Sequence, residues 1–156
     1  ENTQGISGLG LATELAYDNL AEKQRHIINL NNRLREGLMS ELDDIIVNGT
    51  IDMGVDVSDY GKRFPSVLNI SFLGARGEVI LHTLEQDEIF VSTGSACSSH
   101  KNSDSHVLAA MGLGHKEIEG AIRFSISEFN TLEEMDEVAA KVSAAVKRFR
   151  RLGSFR

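Results

Sequence analysis

Apolar residues along the chain follow two periods. Ile6, Leu9, Ala12, Leu15, Ala16 and Leu20 recur at helical steps, and Ile27, Leu30, Leu34 and Leu38 resume them after a polar stretch, which predicts two helices or one long bent helix. The period then shortens to two. Ile45-Ile-Val-Asn48 is a β-branched run closed by Asn48-Gly49, and Val67-Leu-Asn-Ile-Ser-Phe72 alternates after Pro65, so both read as strands. Residues 78–86 carry Val79, Ile80, Thr83 and Leu84 behind an acidic first turn and predict a short helix. Ile89-Phe-Val91 reads as a third strand. Ala121-Ile-Arg-Phe-Ser-Ile126 reads as a fourth, with Ile122, Phe124 and Ile126 on one face and Arg123 and Ser125 on the other. Ser103-Asp104 offers an N-cap for a helix through Val107, Leu108 and Met111 that ends at Gly112. Thr131-Leu-Glu-Glu134 is a capping-box sequence, and the helix it opens gathers Met135, Ala139, Val142, Val146 and Phe149 on one face. Its last turns carry Lys147, Arg148, Arg150 and Arg151, as the helix dipole favours, and read as a solvated terminus.

Four short strands among helices imply an α+β fold, a small sheet with helices packed mainly on one face. Residues 51–63 are mixed in character and read as an irregular surface connection. Gly5-Ile-Ser-Gly-Leu-Gly10 has neither the preceding strand nor the spacing of a dinucleotide fingerprint, so its glycines are expected to let a helix start pack closely on a neighbour. Gly37 lies near a helix end and is expected to matter little.

Composition narrows the function. A chain of 156 residues, 41% hydrophobic, is enough for one compact domain over residues 1–156. A formal net charge of -7 and a sequence pI of about 5.2 disfavour nucleic acid and anionic membrane as partners. One cysteine excludes an internal disulfide, and there is neither a membrane-length apolar run nor a basic-then-apolar leader, so a reducing cytoplasm is expected. The opening Glu1-Asn-Thr, without an initiator methionine, hints at an excerpt of a longer protein.

The chemistry concentrates in Val91-Ser-Thr-Gly-Ser-Ala-Cys-Ser-Ser-His100. Small residues surround Cys97, so its thiol is presented on a loop rather than packed among aliphatic neighbours, and His100, Lys101 and His106 could stabilise a thiolate. Three readings remain open on these residues alone. Cys97 is a nucleophile; or Cys97, His100 and His106 form a metal site, although C-x2-H-x5-H matches no common pattern; or the loop is merely structural. His82 and His115 are taken as ordinary surface or packing residues.

Several segments together carry a family resemblance. Ser92-Thr-Gly-Ser-Ala-Cys-Ser-Ser99, Ser105-His-Val-Leu-Ala-Ala-Met-Gly-Leu113, Ile122-Arg-Phe-Ser125 and Asn130-Thr-Leu-Glu-Glu-Met-Asp136 resemble the C-terminal part of group I cysteine desulfurases of the NifS/IscS type. Glu1-Asn2 with Gly5-Ile, and Arg63-Phe-Pro65 with Leu68-Asn-Ile-Ser-Phe72, agree in order. The resemblance implies the small C-terminal domain of a fold-type I, class V aminotransferase-like enzyme, with a mostly antiparallel sheet and a leading inter-domain helix. It implies an enzyme dependent on pyridoxal 5'-phosphate (PLP) that converts L-cysteine to L-alanine and takes the sulfur as a persulfide on Cys97. Delivery would be to an acceptor or scaffold protein, for iron–sulfur cluster or other cofactor synthesis.

Arg123 would bind the substrate carboxylate, for which a planar guanidinium is suited. The cofactor would be held mainly by a large domain outside this chain. Ser98-Ser-His-Lys101 mimics the family's lysine context but falls in the cysteine loop, so no cofactor-binding residue is expected here, nor a metal. The intact enzyme would be a homodimer, and this fragment alone inactive. A non-catalytic sulfur carrier and a zinc-binding module are the alternatives. The flanks of Cys97 also generate a prediction: alkylation of the folded chain is fast and confined to this thiol. Labelling that required denaturant would show a packed cysteine.

Overall fold

The computed structural model describes residues 1–49, 64–94 and 104–153. In chain order these form α1 (Thr3–Tyr17), α2 (Leu20–Glu41), β1 (Ile45–Asn48), β2 (Val67–Phe72), α3 (Gly77–Glu85), α4 (His106–Ala110), α5 (His115–Glu119), β3 (Ala121–Ser125) and α6 (Leu132–Gly153). The three strands make an antiparallel sheet in the order β1-β2-β3. The chain is therefore α+β, as its pattern indicates.

The pleat separates the sheet into two faces. Leu68, Ile70 and Phe72 of β2 share one face with Ile122 and Phe124 of β3, and all five are buried in a single core with residues from α2, α3 and α6. The α2 residues Leu30, Leu34 and Leu38 are spaced at helical intervals and fully buried, as are Val142 and Val146 of α6. Three contacts in the same order along both helices show that α2 and α6 run parallel. His26 Nε2 meets the Asn130 carbonyl at 3.0 Å, Arg33 holds Asp136 through two bonds of 2.6 and 2.9 Å, and Lys147 Nζ donates to Glu41 at 2.7 Å. Gly37 lies at their contact, where a Cβ would stand 3.0 Å from that of Ala139. This position matters more than its place in the sequence indicates.

Other differences are local. Ile89–Val91 is not a strand; only Ser92 bridges to β3, through Arg123. Asn19, at φ 53, breaks the first helical stretch into α1 and α2. Ser105 rather than Asp104 caps α4, its Oγ accepting from the Leu108 N–H, and the short helix α5 follows, which the sequence reading did not include. The capping box of α6 forms as read: Thr131 Oγ1 accepts from the Glu134 N–H, and the Glu134 carboxylate from the Thr131 N–H. The basic end of α6 is not simply solvated. The Arg150 guanidinium donates to the carbonyls of Leu73, Asp43 and Asp44, fastening the helix to the end of the sheet where β1 begins and β2 finishes.

In α1, Ile6, Leu9, Leu11 and Leu15 are each more than half exposed and no residue is buried. A Cβ on Gly8 or Gly10 would meet nothing within 4 Å, so the expected close packing there is not found among the described residues. No described helix is long and apolar enough to cross a membrane. The expected connection over residues 51–63 lies outside the described residues.

The ion pairs between α2 and α6 give stability a pH dependence. The hydrogen bond from Arg33 holds Asp136 below its ordinary range, and that from Lys147 does the same to Glu41. A depressed carboxylate stabilises the fold above its unfolded-state pKa and loses that contribution as pH falls through the folded value. Thermal melts of Asp136→Asn and Glu41→Gln should therefore show a shallower acid decline than wild type, with little change at high salt, because exposed pairs are screened. An unchanged acid limb in both variants would show that these pairs do not contribute.

Candidate functional site

The second face of the sheet is polar. Residues directly opposite one another share a face, so the register Asn48↔Asn69↔Arg123↔Ser92 lays four polar residues in one row across it. Asn48 Nδ2 donates to Asn69 Oδ1 at 2.6 Å and to Ser71 Oγ at 2.8 Å, which satisfies the hydroxyl of the fully buried Ser71. The amide network joins β1 to β2 beside Arg123. The sequence reading missed it, although Asn69 and Ser71 at alternate positions within an apolar strand were its signal.

Arg123 is exposed, and its side chain makes no hydrogen bond or ion pair with a described residue. Its backbone, by contrast, is fixed. The Arg123 N–H donates to the Ser92 carbonyl at 2.7 Å, and the Ser92 N–H to the Arg123 carbonyl at 3.1 Å. The guanidinium thus stands on an anchored strand with its fork of donors uncommitted, an arrangement suited to a carboxylate.

Ser92 is also the root of the cysteine-bearing segment. Thr93 leans on α3, its Cγ2 only 3.2 Å from where a Cβ on Gly77 would lie. Gly94 lies against Ser105, and a Cβ on it would approach the Ser105 Cβ to 2.7 Å. Beyond the segment, Asp104 Oδ1 meets His115 Nδ1 at 2.7 Å, which gives His115 a tethering role that the sequence did not reveal. Residues 95–103 are therefore flanked by two neighbouring anchors. Cys97, His100 and Lys101 lie outside the described residues. His106 is exposed on α4, and His82 bonds Glu85 on α3.

Two glycines bring these parts together. A Cβ on Gly120 would fall 2.5 Å from the Phe72 carbonyl oxygen, and one on Gly77 2.9 Å from the Ala121 carbonyl oxygen. Both opposing atoms are backbone, so the turn into β3 and the start of α3 lie this close to neighbouring strands only without side chains there.

Comparison with known proteins gives consistent matches. Residues 1–138 match the family described as aminotransferase class V. The chain is 39% identical over 152 residues to a cysteine desulfurase IscS of Clostridium botulinum, covering 97% of this chain and 36% of that protein. It is 39% identical over 150 residues to a cysteine desulfurase of Sinorhizobium fredii, covering 96% and 36%. Among solved structures, a NifS-like protein from Rickettsia africae superimposes with a TM-score of 0.73 at 25% identity, covering 94% of this chain and 35% of that one. A second NifS-like protein superimposes with a TM-score of 0.65 at 28% identity, covering the whole chain and 35% of its own. The chain thus spans about 36% of the length of the curated relatives it matches.

The two kinds of polar residue on this face should respond differently to truncation. Arg123→Ala removes an uncommitted side chain while the backbone bridge to Ser92 remains, so its effect on unfolding free energy should lie within about 0.5 kcal/mol. Asn48→Ala strands Ser71 in the interior and should destabilise by about 1–3 kcal/mol. Urea unfolding measures both, and a large loss for Arg123→Ala would make that residue structural.

Proposed function

The chain belongs to the aminotransferase class-V family, and on that premise we propose that the protein is a cysteine desulfurase, taking sulfur from L-cysteine and leaving L-alanine. One observation carries the reading. The backbone bridge of Ser92 to Arg123 roots the cysteine-bearing segment beside an uncommitted guanidinium. Arg123 binds the substrate carboxylate, and Cys97 receives the sulfur.

The sulfur step balances on this chain's own thiol. A Cys97 thiolate attacks the substrate sulfur and an S–S bond forms. The substrate C–S bond breaks, its electron pair passes to carbon, and that carbon takes a proton to give alanine. Cys97 is left as a persulfide, which an acceptor protein then draws off for iron–sulfur cluster or related cofactor synthesis. The approach of thiolate to sulfur depends on the small residues flanking Cys97 and on the two anchors at Ser92 and Asp104.

Pyridoxal phosphate supplies the electron sink this family's chemistry uses. The described residues do not fit it. Lys23, Lys141 and Lys147 are each bonded to a carboxylate, Lys116 stands exposed on α5, and none belongs to the Arg123 row. We assign the cofactor to a large domain outside this chain, with residues 1–156 as the small C-terminal domain and α1 as the helix leading into it. That assignment accounts for the bare apolar side chains of α1. Cytoplasmic, homodimeric action belongs to the same reading.

In the full-length protein, Cys97→Ser should abolish the added sulfur seen by mass spectrometry while L-cysteine still binds. Arg123→Ala should raise KM for L-cysteine about 30-fold, equivalent to about 2 kcal/mol for a charged hydrogen-bonded pair. Full sulfur transfer by Cys97→Ser would remove Cys97 from the mechanism.

A further inference from the structure

A groove of about 300 Å³ opens between residues 87–91, β3 and the first turns of α6. Ile89, Val91, Ile126, Met135 and Val138 give it an apolar lining, and Phe90 stands 78% exposed at its lip. One wall is a strand edge. Backbone groups along β3 alternate in direction, so Ile122 and Phe124 turn theirs to β2 while Arg123 and Ser125 turn theirs outward. Arg123 uses its outward pair on Ser92. The next outward pair belongs to Ser125, and although Phe90 stands opposite in that register, no backbone hydrogen bond joins them. Ser125 therefore presents an open N–H and C=O to the groove, the template with which an added strand pairs.

The rim of this groove is acidic. Asp87 is neutralised by Lys141 at 2.7 Å, and Glu134 is committed to capping α6. Glu88 and Glu137 make no ion pair among the described residues, and both line the groove. Lys141 also feels the charge of Glu137, but one lysine does not balance the carboxylates of Asp87, Glu88 and Glu137, and this excess over the apolar floor repels an acidic segment. It favours lysine or arginine, whose stems can lie on the floor while their heads reach the rim.

We propose that this groove docks an extended, lysine- or arginine-bearing segment of a partner protein, which adds to the Ser125 edge of β3 as a short strand. The partner is the acceptor of the Cys97 sulfur; this identification alone rests on the function proposed above, and is motivated by the groove's lining reaching Val91, the residue before Ser92 at the root of the cysteine segment.

The experiment titrates full-length protein with a short fluorescent peptide of alternating lysine and valine, using the glutamate–valine peptide as control. The lysine peptide should bind, more weakly as salt rises, and the glutamate peptide should not. Ser125→Pro removes only an outward N–H, at an edge where proline is tolerated, and should weaken binding about fivefold. The exposed double variant Glu88→Lys/Glu137→Lys should weaken it at least as much, and serves as the test if Ser125→Pro fails to fold. Cys97→Ser should leave binding unchanged. In wild type the lysine peptide should slow sulfur transfer to a protein acceptor. Absence of binding, or equal binding by wild type and the charge-reversed variant, overturns the groove even in an active desulfurase. Groove-dependent binding in a protein that releases no sulfur from cysteine upholds the groove and removes only the identity of the partner.

Discussion

Burying one face of a three-stranded sheet under two parallel helices is the constraint on which the rest of this structure depends. Three strands cannot hide both faces of a sheet with the helices available. The apolar set of β2 and β3 turns toward α2 and α6, and strand alternation then delivers Asn69, Ser71, Arg123 and Ser125 to the opposite side. A one-residue slip of β3 would bury Arg123 and expose Ile122 and Phe124 together. The position of the guanidinium is thus enforced by the core rather than by any bond of its own.

The same constraint explains where close approach was needed. Gly37 lets α2 meet α6 at Ala139, and Gly120 and Gly77 let the β3 entry and α3 lie against backbone carbonyls. Arg150 then donates to three carbonyls where β1 begins and β2 ends, one of them, Asp44, already bonded to the Leu73 N–H, so the last helix closes the fold on that end of the sheet. Against that core, Ser92 needs only two backbone hydrogen bonds to hold the cysteine segment's root at a defined place. α1 takes no part in this scheme, and its apolar side chains stand uncovered by the described residues.

Much of the fold was legible in the chain. Helices α2 and α6 have long, regular apolar steps, α6 also has a clear start in its capping box, and β2 and β3 alternate unambiguously. The misreading of Ile89-Phe-Val91 has a physical cause. A short apolar run becomes a strand only if a partner edge pairs with it over several residues, and here β3 pairs with Ser92 alone while Phe90 turns to solvent. Likewise, the basic end of α6 read as solvated because no local pattern reveals carbonyls from residues 43, 44 and 73 waiting beside it.

By itself the sequence determined the alternation that sets Arg123 apart from Ile122 and Phe124, the helical stripes that bury one sheet face, and the small-residue setting of Cys97. These are properties of neighbouring residues and of local geometry, so they survive without knowledge of the fold. Only the tertiary structure decided that Asn48, Asn69, Arg123 and Ser92 stand in one row, that Asp104 and His115 close the far end of the cysteine segment, and that Ser125 faces an open groove. Strand order and register join residues up to 75 positions apart, from Asn48 to Arg123; such pairings arise from burying the shared core and leave no period in the chain to be read beforehand.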